Sequence, residues 1–571
     1  MPDEEHFHVV VVGSGFGGAV SAYRLAADED KHLRVLILER GQPYPPGSFP
    51  RTPRQMREAF WDPGTGKHGL YEYWRFKDLD MMCASGLGGG SLIYSNVMIP
   101  KDRGTFVQED LADGGRESWP FDREELDPHY ENVLEMQCPQ VYPSTEPYES
   151  TPKTRAFEEA AGALGLEARR PPLAVLFAPT EDDEPVPGAP VPGGDLHGRP
   201  RTTCRLCGEC NVGCNYGAKN TLDFTYLSAA KDKGAQIRTC CEVRTIEPLG
   251  ESGGGYRVGY TQHLAACDGH PRDLLDPVAE ARRTVLADRV ILAAGAVGST
   301  RLLLMNVGAL PRLSAELGTR VSANGDAIAM LRDATRRGPD GEIEPRYLDP
   351  SVGPVITTTI DVPEDRSPSG RGYRVQDAGA PLLADWLWES LELPKLPWRM
   401  RRAIVRGIGA KLLNRPPKTN LSGDLAQVFT DRSGTLIPLL ANGRDVPDGR
   451  YSRHGDRLEL DWSSASSEDY YQGVEGTFRD ISDALGGRLK MALWKRLNRS
   501  VTIHPLGGCP MAKDRRYGVV DPWGQVFGHP GLYVTDGSAM PGPVGANPSF
   551  TIAAFADRVA EAILEDRAGS P

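Results

Sequence analysis

The chain has 571 residues, with 65 basic and 77 acidic side chains and a formal net charge of −12. This length allows large hydrophobic cores, and the acidic balance argues against a general nucleic-acid-binding protein. The first apolar segment already begins at Phe7, and no apolar run is long enough to cross a bilayer, so we expect neither a secretory signal nor a membrane span and place the protein in the cytoplasm.

The first predicted elements are a strand, a glycine-rich loop, a helix and a second strand. Apolar residues predict the strands at 7–12 and 33–38 and the helix at 19–27. The loop between the first strand and the helix carries the glycines of a dinucleotide fingerprint, Gly13, Gly15 and Gly18. Glu39 follows the second strand, about 20 positions after Gly18, where an acidic side chain can bind the adenosine ribose.

Such a loop brings backbone N–H groups and a helix N-terminus to a pyrophosphate. No second strand-led fingerprint follows in the sequence, which favours one bound FAD over a flavin plus a nicotinamide. A glycine-rich surface turn is the alternative, but it explains neither the strand nor Glu39.

A second glycine cluster lies at 86–91. Residues without a Cβ permit close approach of backbone to a flavin. The candidate contacts here are Gly88, Gly90, Ser91 and the later Asn96. An ordinary flexible loop is the alternative.

The segment 180–200, rich in proline, glycine and acidic residues, is predicted to be an exposed connector. It leads into four cysteines with the spacing C-x2-C-x2-C-x3-C, namely Cys204, Cys207, Cys210 and Cys214. Bacterial ferredoxins use this spacing for iron–sulfur clusters. Zinc bound by four thiolates and a metal-free structural loop stay open as alternatives.

Segment 395–418 contains eight Lys or Arg residues and no acidic residue. Ile404, Ile408 and Leu412 recur every four residues, so a helix here would carry an apolar stripe flanked by cations, suited to peripheral contact with an anionic membrane. A core-facing helix with a solvated basic side is the alternative.

Two glycine- and proline-rich stretches near the C-terminus, 501–509 and 537–548, carry one imidazole and one carboxamide, His504 and Asn547. A base and a hydrogen-bond donor beside a bound redox cofactor can oxidise an alcohol. We therefore expect these two side chains to converge over a flavin.

Together these stretches resemble the glucose–methanol–choline (GMC) oxidoreductases, and within them the cholesterol-oxidase-like branch with noncovalent FAD. The matching ranges are 9–22, 86–98, 215–230, 290–303 and 501–560. The resemblance implies an α/β fold: a discontinuous Rossmann-like FAD-binding domain with an inserted α+β substrate-binding domain built on an antiparallel sheet. The implied FAD-binding segments are 1–100, 203–310 and 495–571, the substrate-binding segments are 101–202 and 311–494, and 204–214 is a cysteine-rich loop.

The resemblance also implies residue roles. Val243 matches the residue whose backbone meets the adenine, and Asp536 with Gly537 matches the segment near the flavin diphosphate and ribityl chain. His504 would help deprotonate a secondary alcohol, and Asn547 would orient it. Where cholesterol oxidases have an isomerising glutamate, this chain has Gln376 or its neighbour Asp377.

The leading predicted function is FAD-dependent oxidation of a sterol or another bulky apolar alcohol, with O₂ or a protein or quinone as electron acceptor. One alternative is an alcohol or sugar dehydrogenase that passes electrons through an iron–sulfur cluster to a partner protein. A second is a flavin-binding sensor or light-driven flavoprotein without this catalysis. No histidine lies beside 86–91 to tether a flavin, so noncovalent FAD is expected.

Overall fold

The structure is a computed structural model, and it describes residues 4–180, 182–250, 254–263, 280–380, 434–491 and 499–567. The predicted basic segment 395–418 lies outside these ranges. Within them, no helix combines the length and the apolar character that crossing a membrane requires.

The α-helices of the described ranges are α1 Phe16–Ala27, α2 Pro53–Glu58, α3 Arg123–Gln137, α4 Pro152–Ala163, α5 Tyr226–Asp232, α6 Gly295–Met305, α7 Glu468–Ala484 and α8 Ser549–Leu564. The strands are β1 His6–Val12, β2 Val35–Leu38, β3 Trp61–Asp62, β4 Lys67–His68, β5 Tyr71–Arg75, β6 Leu79–Ala84, β7 Gln140–Val141, β8 Ala168–Arg169, β9 Pro172–Leu173, β10 Pro190–Val191, β11 Arg201–Thr202, β12 Gln236–Arg238, β13 Cys241–Pro248, β14 Tyr256–His263, β15 Glu280–Leu292, β16 Ala327–Arg332, β17 Thr335–Arg337, β18 Ile343–Pro345, β19 Thr359–Val362, β20 Tyr373–Asp377, β21 Ile437–Gly443, β22 Arg450–His454, β23 Arg457–Asp461, β24 Arg488–Met491, β25 Ser500–Thr502 and β26 Leu532–Val534.

The first large sheet has the strand order β12-β2-β1-β15-β14-β13, and β26 also pairs with β15. Strands β12, β2, β1, β15 and β26 run parallel. Val9, Val10 and Val11 of β1 are fully buried, as expected for a parallel strand covered on both faces. The loops that follow β1, β15 and β26 therefore meet at one edge of the sheet, where open α/β sheets bind their ligands.

The predicted elements at the N-terminus are present, with small differences at their ends. Helix α1 begins at Phe16 rather than at residue 19, because Gly15 takes the extended N-cap conformation and two further glycines lie inside the first turn. Strand β1 begins one residue earlier than predicted and β2 two residues later.

The second large sheet is antiparallel, with the order β24-β16-β21-β20-β19-β8. Val375 and Ala441 point into a core formed with α4 and α7, whereas Ile328 and Leu440, on the opposite face, border a large cavity. This alternation is what a sheet packed on both faces produces. The antiparallel sheet predicted for the substrate-binding domain is thus present.

A third sheet joins β25, β6 and β5, so it connects a C-terminal segment to an N-terminal one. The strands of the first and third sheets come from the segments predicted to bind FAD, and those of the second sheet from the predicted substrate-binding segments. The exact domain boundaries stay a prediction. The predicted connector 180–200 is mostly exposed where described and contains only the short β10.

Candidate active site

A cavity of about 990 Å³ lies between the edge of the first sheet and the inner face of the second. This volume lies at the upper end of the range for small-molecule sites, which usually measure about 300–1,000 Å³. Ten of the residues predicted from the sequence line it: Gly13, Gly15, Glu39, Gly90, Asn96, Val243, His504, Asp536, Gly537 and Asn547.

The loop after β1 has the shape that dinucleotide binding requires. Gly13 has a φ of +99°, and a Cβ there would collide with the carbonyl group of Ala293. A Cβ on Gly18 would strike the Gly13 carbonyl, so this residue serves close helix–strand packing rather than lining the cavity. Glu39 is buried and accepts hydrogen bonds from the Ser14 amide and hydroxyl, at 3.0 and 2.6 Å.

Three further features fit a cofactor in this cavity. Gly90 faces it without a left-handed backbone, and a Cβ there would have no atom within 4 Å, so packing within the protein does not explain the glycine. Gly295 has as much space around it, and its φ of +84° also favours glycine there. Asn96 is fully buried and lines the cavity, yet neither polar atom of its side chain has a hydrogen-bond partner within the described residues. A bound group with polar edges would fill this space and satisfy that amide.

The other predicted residues of the second glycine cluster lie behind the cavity wall. Gly88 has a φ of +111°, and the Ser91 hydroxyl donates to its carbonyl at 2.7 Å. The same hydroxyl accepts the Leu222 amide at 3.1 Å. Gly88 and Ser91 thus shape the loop that presents Gly90, and their direct contact with a cofactor stays a prediction.

Asp536 joins the loop after β26 to the start of α6. Its carboxylate accepts the Gly295 amide at 2.8 Å, the Ser299 hydroxyl at 2.5 Å and the Ser538 amide at 2.9 Å. Burial raises the pKa of Asp536, whereas these donors act in the opposite direction. The network holds Gly295 and Gly537 at the cavity.

His504 follows β25 and lines the cavity. Its Nδ1 lies 2.7 Å from Oδ1 of the buried Asp326. Because a carboxylate only accepts hydrogen bonds, Nδ1 carries the proton, and Nε2 keeps its lone pair for a substrate. Sequence reasoning missed Asp326, since 178 residues separate the pair and Asn324-Gly325-Asp326 looks like an ordinary turn.

Asn547 also lines the cavity, and Gln376 of β20 lies behind it. The Gln376 amide donates to Oδ1 of Asn547 at 2.9 Å, and Asn547 Nδ2 approaches the Gln376 carbonyl at 3.4 Å. Asn442 donates to the same Gln376 oxygen at 3.3 Å. The Asn547 carbonyl oxygen therefore already accepts a hydrogen bond, and its NH₂ group is the part that can donate to a substrate.

Asp377 is the last residue of β20 and is fully buried, and its carboxylate accepts several hydrogen bonds. It forms an ion pair with Lys153 and accepts the amides of Thr357 and Thr358, at 2.8 and 2.7 Å. To move a substrate proton, Asp377 would have to break this ion pair, which is costly in a buried setting. Its isomerisation role stays a prediction.

The four predicted metal ligands, Cys204, Cys207, Cys210 and Cys214, line a second, small cavity of about 20 Å³. Within the described ranges, no group of three or more His, Cys, Asp or Glu side chains is arranged to hold a metal ion as it stands. The cysteine loop nevertheless touches the main cavity, because Asn211 lines that cavity and accepts the Ser95 hydroxyl at 2.9 Å.

A buried lysine that the sequence reasoning missed ties the cysteine loop to the glycine cluster. Lys219 Nζ donates to the carbonyls of Tyr94, Cys210 and Leu92, at 2.9, 3.1 and 3.2 Å. Burial lowers the pKa of Lys219 to about 8. This hydrogen bonding keeps the two loops in fixed relative positions.

Comparisons with known proteins agree with this geometry. Family models described as GMC oxidoreductase match residues 196–320 and 463–556. A cholesterol oxidase of Mycobacterium tuberculosis is 29% identical over 97% of this chain and 90% of its own length. A cholesterol oxidase of Acinetobacter baumannii is 27% identical over 97% and 93%.

Among solved structures, pyridoxine 4-oxidase from Mesorbium loti superposes with a TM-score of 0.57 at 18% sequence identity. The superposition covers 98% of this chain and 99% of that one, so the likeness extends over the whole fold.

Proposed function

Because the chain belongs to the GMC oxidoreductase family and is an FAD-dependent alcohol oxidoreductase, we propose that its substrate is a sterol or a similarly bulky apolar alcohol with a secondary hydroxyl. The observation that carries this proposal is that His504 and Asn547 line one cavity with Gly13 and Gly15, the glycines of the predicted dinucleotide fingerprint. Similarity to two cholesterol oxidases supports the sterol as the first substrate to test.

The wall of the cavity on the side of the second sheet also supports an apolar substrate. It is formed by Ile328, Val355, Ala378, Pro438 and Leu440. Such a wall favours burial of a hydrocarbon skeleton and excludes water from the reacting hydroxyl.

The mechanism assigns a proton and a hydride to separate acceptors. FAD, when bound, supplies the hydride acceptor. His504 Nε2 accepts the hydroxyl proton as the carbinol hydrogen leaves with its electron pair, and a ketone results. The Asn547 amide donates to the substrate oxygen and fixes its orientation, while the bond to Asp326 places the proton of the neutral His504 ring on Nδ1 and leaves Nε2 as the accepting nitrogen.

We further propose that the cofactor is held without a covalent bond, since no histidine lies beside 86–91. The groups that would bind it are the backbone around Gly13, Gly15 and Gly90, the Glu39 carboxylate and the Asn96 amide, which has no hydrogen-bond partner among the described residues. Acid precipitation of the protein should then release the flavin into the supernatant.

Anaerobic titration of the flavoprotein with cholesterol tests the substrate, and we expect the flavin absorption to bleach. The steroid product should keep its double bond unconjugated, because Gln376 cannot titrate and Asp377 is bonded to Lys153. Chromatography against the two ketone standards measures this. Bleaching by short or polar alcohols but not by cholesterol would contradict the proposed substrate class, and a conjugated product would contradict the assignment of Gln376.

A second candidate concerns the electron acceptor: we propose that the 204–214 loop holds an iron–sulfur cluster and that a partner protein or quinone takes the electrons. Two observations support it: the four cysteines line one small cavity, and the same loop reaches the main cavity through Asn211. Such a cluster would supply one-electron transfer.

Iron and sulfide analysis of protein purified without oxygen tests the cluster. Cys207→Ser should lose the iron while it retains FAD, and Cys138→Ser, an exposed cysteine outside the loop, should retain both. Zinc, or no metal, in the wild-type protein would contradict the cluster. Stoichiometric peroxide release in air would indicate O₂ as the acceptor instead.

A further inference from the structure

One short loop contacts the chain on both sides of His504 and immediately before Asn547. It comprises residues 322–326 and precedes β16. Ser322 exchanges two backbone hydrogen bonds with Leu506, at 3.0 and 3.1 Å. At its other end, Asp326 bonds to the His504 ring at 2.7 Å.

Asn324 extends from the middle of this loop to the segment that carries Asn547. Its Oδ1 accepts the amides of Val544 and Gly545, at 2.9 and 3.0 Å. Its Nδ2 donates to the Ala546 carbonyl at 2.8 Å. These three bonds of the buried Asn324 side chain all go to the three residues that precede Asn547.

We propose that the 322–326 loop sets the relative position of the two reacting side chains, with Asp326 as the positioning residue of His504 and Asn324 as that of Asn547. The proposal rests on the proposed function, in which His504 is the base. It adds two residues that touch neither substrate nor cofactor.

The bonding of Asp326 determines which nitrogen of His504 carries a proton. Oδ2 accepts the Thr502 hydroxyl at 2.7 Å and the Ile503 amide at 3.0 Å. Because a backbone amide can only donate, the side-chain atom that faces the Ile503 amide must be an oxygen. In Asp326→Asn the carboxamide oxygen therefore occupies this position, and the NH₂ group faces His504 Nδ1. The ring must then accept at Nδ1 and carry its proton on Nε2, where it cannot act as a base.

Two measurements test this. Nitrogen-15 histidine NMR, with the His504 signal identified by its loss in His504→Gln, should show the Nδ1-protonated form in the wild type and the Nε2-protonated form in Asp326→Asn. Stopped-flow reduction by an alcohol that bleaches the wild-type flavin should slow about 100-fold, with flavin content and substrate affinity within about twofold. An unchanged tautomer, or a reduction rate within threefold of wild type, would overturn the proposal for Asp326.

Asp445→Asn is the matched control. Asp445 is a buried carboxylate that bonds to Ser322 and Ala323 of the same loop, at 2.5 and 2.8 Å, but not to His504. We expect the native tautomer in this variant. If both variants lost flavin and rate equally, general loosening of the loop would explain the effect, and the positioning role would be refuted.

Asp326→Glu provides a second test in case the Asp326→Asn variant fails to fold. It keeps the carboxylate and hence the native tautomer, but it displaces the ring, and we expect reduction to slow about 10-fold. A rate equal to wild type would contradict the geometric requirement.

Asn324→Gly tests the second half of the loop. Asn324 has a φ of +53°, which glycine adopts freely, so only the three side-chain bonds are lost. We expect a roughly 10-fold slower reduction with the native His504 tautomer. If no alcohol reduced the wild-type flavin, the proposed function would fail, whereas the NMR comparison would still decide the role of Asp326.

Discussion

Replacement of His504 by alanine should slow flavin reduction by about 10²- to 10⁴-fold, the usual contribution of a positioned general base. The fold and the flavin spectrum should stay as in the wild type, because the ring lies at the cavity wall and, within the described part of the chain, its one hydrogen bond is to Asp326. Anaerobic stopped-flow measurement of the reduction rate, at saturating alcohol, tests this expectation.

His454→Ala is the control, since His454 is exposed on the β22–β23 hairpin. Equal reduction rates in the two variants would remove His504 as the base.

Gly90→Ala should weaken FAD binding by about 10- to 100-fold, the cost of one overpacked methyl group in a filled site. The apoprotein should keep its stability, because a Cβ at this position meets no atom of the protein within 4 Å. Flavin content after purification and titration of the apoprotein with FAD measure the effect.

Gly162→Ala provides the comparison. Gly162 lies in α4, far along the chain from the glycine loops, and a Cβ there also has no neighbour within 4 Å. Alanine should stabilise this helix by about 0.5–1 kcal/mol and leave FAD binding unchanged. If Gly90→Ala bound FAD as tightly as Gly162→Ala, the cofactor would not approach residue 90.

The first β–α–β unit shows how much of the structure can be predicted from local sequence. A run of apolar residues at 7–12 and glycines at 13, 15 and 18 predict a buried parallel strand, a tight turn and a helix start, because each of these features depends on neighbours within a few positions. The structure confirms this unit, with helix α1 starting slightly earlier. The four cysteines at 204–214 line one small cavity, but within the described residues they are not arranged to hold a metal ion, and the cluster stays a prediction.

Local sequence could not assign a role to Gly88, Ser91 or Gly18, because small residues are needed both to line a cavity and to shape a loop. Only the folded chain separates Gly90, which faces the cavity, from Ser91, which bonds to Gly88 and Leu222 behind it. The same holds for Asp377, whose pairing with Lys153 spans 224 residues.

What the sequence indicated by itself is therefore the cofactor class and the two candidate reacting side chains, since glycine-rich turns and a lone imidazole and carboxamide on stiff loops are local signals. The tertiary structure alone decided which groups hold them. Asp326 lies 178 residues from its partner His504, and Asn324 lies 222 residues from its partner Ala546. A hydrogen bond across such separations depends on how the sheets pack rather than on any short sequence pattern. Packing brings a single loop to both sides of the reaction site, and no spacing rule along the chain encodes that contact.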